Sequence, residues 1–326
     1  MVFALALRYA HDFLDTYPLL GVAFLLVGVV ISVLCLVLFA SRTFLVPSYK
    51  LSRLGVKPGE WAVVTGASDG IGREFALQLA ASGYNVFLAA RNPEKLEAVV
   101  REIQQNTNGK VKTEVFLIDF AHASDAQFGA LREAMQALDI HVLVNNVGKS
   151  HEMPVDFIET DSVEMQDIIA INVAATVRVT SFVVASMTDK RRGVIINIGS
   201  FAGAVPSPML ATYSASKAFL KTFSDALAAE LGPYGVIVTH ANTYFVVSAM
   251  SKIRKASLMI PTPRAYVRSV LGRLVQGSCA PYWPHACLEA IMSLFPDWLV
   301  SSYVHNMHRD IRKRALRKKE RLSKKQ

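Results

Sequence analysis

Between residues 60 and 250 the chain repeats one alternation: a short, almost uninterrupted apolar run, then a stretch with helical spacing. The runs are WAVVT (61–65), NVFLAA (85–90), TEVFLID (113–119), HVLVNN (141–146), GVIINIGS (193–200) and GVIVTHA (235–241). Helical patterns fill the intervals at 71–81, 93–106, 124–137, 157–188 and 213–231. A strand that is apolar at every position offers no face to water, so both faces must be covered, and crossover helices on a parallel sheet do that. The spacing therefore predicts an α/β fold, a doubly wound parallel sheet of six strands with right-handed crossovers.

Upstream, Leu19 to Ala40 forms a run of 22 residues without a charge. As a helix it would extend roughly 33 Å, against a hydrocarbon core of about 30 Å. The run exceeds the core of an ordinary leader, and no small-x-small cleavage pattern follows it before Arg42, so an N-terminal transmembrane helix is expected. Arg42, Lys50, Arg53 and Lys57 follow with no acid before Glu60, whereas the short leading side sets Arg8 against Asp12 and Asp15. The positive-inside rule then puts the large C-terminal part in the cytosol. The expected organisation is 1–18 lumenal, 19–40 transmembrane, 41–59 linker, 60–250 α/β core, 251–308 substrate-side, membrane-proximal lobe and 309–326 basic cytosolic tail. The lobe has a blurred pattern, with a helical stretch near 264–277 and prolines at 281, 284 and 296.

The net charge of +9 resides almost wholly in that tail, where ten Lys or Arg and two acids give +8. The rest of the chain is near neutral and carries no base-reading module, which argues against nucleic acid. Anionic headgroups are the simplest partner for such a tail, at about 1 kcal/mol per close cation, the alternative being a solvated charge run. The three cysteines are dispersed and imply no disulfide framework. Beyond His305-x-x-His308 no metal-ligand spacing occurs, so no metal is expected.

Chemistry concentrates at the ends of the predicted strands. After the first comes Thr65-Gly66-Ala67-Ser68-Asp69-Gly70-Ile71-Gly72, opening a helix. Glycines there allow a tight turn and close approach of backbone to a pyrophosphate, whose charge rests on the helix N-terminus. After the second strand stands Arg91, where an NAD site would carry an acid for the ribose hydroxyl, so a 2′-phosphate and hence NADPH is favoured. Tyr213 and Lys217 lie one helical turn apart and can act on one small volume.

With Asn145-Asn146-Val147-Gly148 after the fourth strand and Ser200 after the fifth, these features resemble the short-chain dehydrogenase/reductase family and its Rossmann fold. The resemblance implies that Tyr213 is the general acid toward a carbonyl oxygen, that Lys217 lowers the phenol's pKa, and that Ser200 donates to the same oxygen. It further implies that Asn172 holds a water behind the lysine, that Asp119 lies near the adenine, and that Asn146 braces the cofactor site. A Pro-Gly pair usual after the sixth strand is missing from Ala241-Asn242-Thr243-Tyr244-Phe245, so contacts from Val246 and Ser248 follow from position only.

The anchor, the stretch TYFVVSAMSKIR and the basic C-terminus are together similar to the 3-oxoacyl-CoA reductases of fatty-acid elongation in the endoplasmic reticulum, relatives of hydroxysteroid dehydrogenases. That similarity implies a long-chain acyl-CoA substrate, a membrane location, elongase partners and a homodimer through the long helices. A steroid or other lipid ketone, or a non-catalytic scaffold, remain the alternatives. Lys324-Lys325 are similar to a dilysine retrieval signal displaced by one position.

Overall fold

The computed structural model describes residues 12, 15–41 and 46–323. Arg8, Arg42 and the Lys324–Lys325 pair, on which the topology and retrieval expectations draw, lie outside the described residues. The chain divides into two compact units, Met1–Val46 and Pro47–Gln326. In the first, Pro18–Ala40 is a helix whose apolar side chains between Leu19 and Val37 are largely exposed.

The second unit holds a parallel sheet of β1 (Trp61–Thr65), β2 (Asn85–Ala90), β3 (Thr113–Leu117), β4 (Ile140–Asn145), β5 (Gly193–Ile198), β6 (Val236–Ala241) and β7 (Gly277–Cys279). Their spatial order is β3-β2-β1-β4-β5-β6-β7. The chain starts at the middle of the sheet, moves outward to β3, then crosses back to lay β4 against the free side of β1. That reversal opens a crevice beyond the carboxyl ends of β1 and β4. The strands expected to be apolar throughout are buried throughout at β1, β4 and β5.

One face of the sheet packs against α1 (Gly70–Ala81) and α2 (Pro93–Thr107), through residues such as Phe75, Leu79, Leu96 and Ile103. The other packs against α3 (Asp125–Gln136) and α4 (Ser162–Asp189), through Phe128, Leu131, Val179 and Val183. By length and composition α4 could cross a membrane, yet these contacts make it a core helix. Next along the chain is α5 (Ala211–Leu231), which carries the tyrosine–lysine pair.

The C-terminal region departs most from the sequence reading. The helical stretch expected to 277 ends earlier, as α6 (Pro263–Gly272); the chain then pairs Leu274–Val275 antiparallel with Ser48–Tyr49 and enters β7, a seventh strand of the main sheet with only three residues. Gly-Ser-Cys carries no apolar run, so nothing local announces it; pairing with β6 makes it a strand. Beyond α7 (Trp283–Ser293), a single helix α8 (Asp297–Ser323) runs through the expected boundary between lobe and tail. With no proline or glycine after Pro296, nothing interrupts it. His308 Nδ1 lies 2.7 Å from the Pro208 carbonyl and Arg312 3.7 Å from Asp156, which ties α8 to the loops over the crevice.

Candidate active site

The glycine turn after β1 is built for close approach. Gly66 has φ +66°, and a Cβ there would come 3.0 Å from Asn146 Nδ2. A Cβ on Gly72 would lie 2.2 Å from the Gly66 carbonyl, so the start of α1 packs directly onto the turn. Asn146 holds the turn in place: its amide N–H donates to Thr65 Oγ1 at 3.0 Å and its Nδ2 to the Thr65 carbonyl at 3.0 Å. Asp69 caps α1 by accepting from Gly70 N at 2.7 Å, while its second oxygen accepts from Lys95 Nζ at 2.9 Å. That ammonium holds the carboxyl below its usual range.

Ser68, Gly70 and Ile71 line a cleft of about 610 Å³ together with Arg91 and Asn146. Val246 and Ser248 line it from the segment after β6, with Ser248 Cβ 3.6 Å from where a Cβ of Gly70 would sit. Gly72 lies beneath the turn and does not face the cleft. Nor does Asp119, whose carboxylate lies 3.9 Å from the Arg91 guanidinium and accepts from Ala121 N at 3.1 Å.

The reactive end of the cleft joins two elements. Ser200 ends the strand-to-loop turn after β5, where its hydroxyl accepts from Ala202 N at 3.2 Å and hydrogen-bonds to the Tyr213 phenol from α5. Lys217 follows one turn on, its Nζ 5.9 Å from the Tyr213 ring centre and donating to the Ile198 carbonyl at 2.9 Å. Burial pushes this ammonium down to about 8. The phenol behaves otherwise than the sequence reading expects: burial holds it above its ordinary value, opposed only by the Ser200 hydrogen bond. The lysine points to the strand-end carbonyl below the ring, so desolvation decides the direction. A phenol so placed keeps its proton at neutral pH and can give it up.

Asn172 stands behind this pair, in a π-helical segment of α4 spanning Ala170–Ala175. Its amide is occupied by the Lys149 backbone: Oδ1 accepts from Lys149 N at 2.8 Å and Nδ2 donates to Lys149 O at 2.9 Å and to Ser216 Oγ at 2.9 Å. A methyl placed on Gly148 would sit 3.4 Å from Asn172 Oδ1 and 3.7 Å from Lys217 Nζ, so a small gap without side chain separates the two. Single widened turns of this kind are frequent at functional sites.

Sequence reasoning missed three contributions. Lys95, one turn beyond Arg91, adds a second cation at the same mouth of the cleft, and the Arg-x-x-x-Lys spacing could have signalled it. Beneath Gly199, whose Cβ would come 2.1 Å from His240 Nε2, lies a histidine that burial, assisted by the Lys217 charge, pushes down to about 4, keeping the floor neutral. At the far end, Met292 from α7 and Val304 and Met307 from α8 close the cleft with apolar side chains. No local signal could have placed those, because they lie about 80 to 100 residues from the chemistry in sequence and arrive by packing.

Comparison with known proteins agrees with this geometry. The short chain dehydrogenase family profile matches residues 60–258. The very-long-chain 3-oxoacyl-CoA reductase of Coprinopsis cinerea is 54% identical over 297 residues, covering 87% of each chain. Its counterpart from Laccaria bicolor is 50% identical over 291 residues, covering 86% of each. Among solved structures, one of a 7β-hydroxysteroid dehydrogenase superposes with a TM-score of 0.68 at 22% identity, over 78% of this chain and 99% of the other. A short-chain dehydrogenase from Sphingobium yanoikuyae in complex with NADPH gives 0.60 at 23% identity, over 73% and 96%.

Proposed function

The chain belongs to the short-chain dehydrogenase family, and from that premise we propose that this oxidoreductase reduces long-chain 3-oxoacyl-CoA to 3-hydroxyacyl-CoA with NADPH. The observation that carries the reading is the continuity of one cleft. It runs from a cationic, glycine-walled mouth, past Ser200 and Tyr213, to an apolar end at Met292, Val304 and Met307. Relatives about half identical over nearly the whole chain bear the name of that activity.

The residues present fit a dinucleotide phosphate. The N-terminus of α1 and the glycines of the turn suit the pyrophosphate, and Arg91 with Lys95 suit a 2′-phosphate. A bound nicotinamide supplies the hydride for the carbonyl carbon. Tyr213 hands its proton to the carbonyl oxygen, which Ser200 steadies by a second hydrogen bond. Lys217, with a single backbone acceptor among the described residues, would have donors left to hold a bound cofactor's sugar and to replace the proton by way of the gap at Gly148. Asn172 keeps the wall of that gap fixed through Lys149.

In this reading the exposed apolar helix Pro18–Ala40 anchors the enzyme in the endoplasmic-reticulum membrane with the reductase unit in the cytosol, as Lys50, Arg53 and Lys57 favour. Elongase proteins are its working partners. A homodimer through α4 and α5 is supported by Ile169 and Phe219, which stand exposed on those helices.

The test is NADPH and NADH oxidation by the detergent-solubilised full-length protein with long 3-oxoacyl-CoA and with steroid ketones. Turnover of the thioester with NADPH is expected. Turnover of steroids alone would replace the substrate, and oxidation with none of them would overturn the reading in favour of a scaffold.

A further inference from the structure

Helices α7 and α8 have two sides that differ in kind. Inward, Met292, Val304 and Met307 line the far end of the cleft, and Val300 and Val304 are each 7% exposed. Outward, around the junction of the two helices, stand Ile291, Leu294, Phe295, Trp298, Leu299 and Tyr303, with Trp298 at 72% and Tyr303 at 70% exposure. Scattered apolar surface residues need no account, but a contiguous group of this size marks a contact surface. The same helix α8 goes on to Arg317, Lys318, Lys319 and Arg321, which have no acidic partner among the described residues.

We infer that the α7–α8 junction and the cationic end of α8 form a second contact with the membrane, an interfacial one on anionic lipid, separate from the Pro18–Ala40 helix. Aromatic rings with one polar edge settle at the depth of headgroups, and cations further along the same helix meet the lipid phosphates. Charge complementarity selects the partner. A second copy of this chain would bring the same cations against one another, whereas an anionic bilayer neutralises them. The contact places the apolar end of the cleft against the hydrocarbon boundary, with only the thickness of one helix layer between. If the cleft holds an acyl chain, as proposed above, the chain's tail reaches it from lipid without crossing water. That last step rests on the acyl-CoA reading; the contact itself rests on the surface.

The three tryptophans make the contact measurable, since Trp61 is buried while Trp283 and Trp298 are exposed. The full-length protein with Trp283→Phe is reconstituted in phosphatidylcholine–phosphatidylserine vesicles whose acyl chains are either brominated or not. The emission of the Trp283→Phe, Trp298→Phe double variant is subtracted to isolate Trp298. Loss of most Trp298 emission in the brominated vesicles is expected. Emission indifferent to bromine, in protein that still sediments with the vesicles through its N-terminal helix, overturns the inference, and is also what a protein partner covering this face would give. Changing Arg317, Lys318, Lys319 and Arg321 to Gln should remove the gain in quenching that phosphatidylserine brings over phosphatidylcholine alone. No change on that substitution overturns the electrostatic half. Emission is read without turnover, so its outcome is independent of whether the reductase assay succeeds.

Discussion

Two clusters of buried polar side chains sit at opposite edges of the same sheet, and they are satisfied very differently. At the amino ends of the strands, Glu60, 3% exposed, accepts from Arg192 Nε at 2.7 Å and from Lys57 N at 2.9 Å, and lies 3.2 Å from His141 Nδ1. Arg192 spends its remaining donors on the carbonyls of Leu54 and Gly55, and the Tyr84 hydroxyl lies 2.7 Å from His141 Nδ1. Burial works to raise the Glu60 carboxyl, but the guanidinium and the Lys57 amide hold it below its usual range. Burial pushes His141 down to about 4, so it sits there neutral.

At the carboxyl ends, Lys217 has one acceptor, the Ile198 carbonyl, and no carboxylate within ion-pair distance among the described residues. Tyr213 has one hydrogen-bonding partner among the described residues, Ser200. The first cluster closes on itself and latches the segment before β1 to the sheet. The second leaves donors over, aimed into a cleft. A buried charge with every valence filled contributes structure, whereas one left partly unpaired is costly and persists where chemistry needs it.

Three substitutions would sharpen or break that contrast. Tyr213→Phe should lower kcat by roughly 10²- to 10⁴-fold, the usual worth of a positioned proton donor, while leaving the melting temperature unchanged. Marked destabilisation by this variant would put the tyrosine in the structural class. Glu60→Ala should do the reverse, costing about 3–5 kcal/mol in denaturant unfolding because Arg192 loses its partner, with kcat per folded molecule retained. A folded, stable but inactive Glu60→Ala protein would erase the distinction between the two edges.

The smallest effect is one of pH. The Lys217 ammonium sits at about 8 in the folded protein and near 10.5 in the unfolded chain, so between those values the unfolded state holds the proton more often. Stability of the native protein relative to Lys217→Met should therefore be lowest below pH 8, where the buried charge is fully present. It should rise by roughly 3 kcal/mol as pH climbs toward 10.5. Paired unfolding curves of the two proteins across that window check it; a flat difference would mean that the ammonium is compensated like Glu60.

Most of the sheet was legible because the strands buried on both faces advertise it. WAVVT, HVLVNN and GVIINIGS could not lie at a surface, and they form β1, β4 and β5. The edges were harder to bound. TEVFLID shortens to Thr113–Leu117, with Val115 and Leu117 exposed at the rim, where apolar composition is no longer forced by burial. Arg91, Tyr213 and Lys217 could be named in advance from local spacing and Ser200 from the family resemblance, and the structure brings all four to one cleft. The π-helical segment at Asn172 could not be foreseen, since it arises where the side chain reaches across to the Lys149 backbone.

The sequence alone determined the alternation of buried strand and covering helix, the glycine turn, the tyrosine–lysine pair and the apolar segment at 19–40. Each is written in contacts a few residues apart or in a hydrophobic run. Tertiary structure alone decided the direction of the phenol's pKa, the seventh strand, and the apolar wall that α7 and α8 give the cleft. Those depend on desolvation and on pairing between residues far apart in the chain, quantities that no local pattern contains.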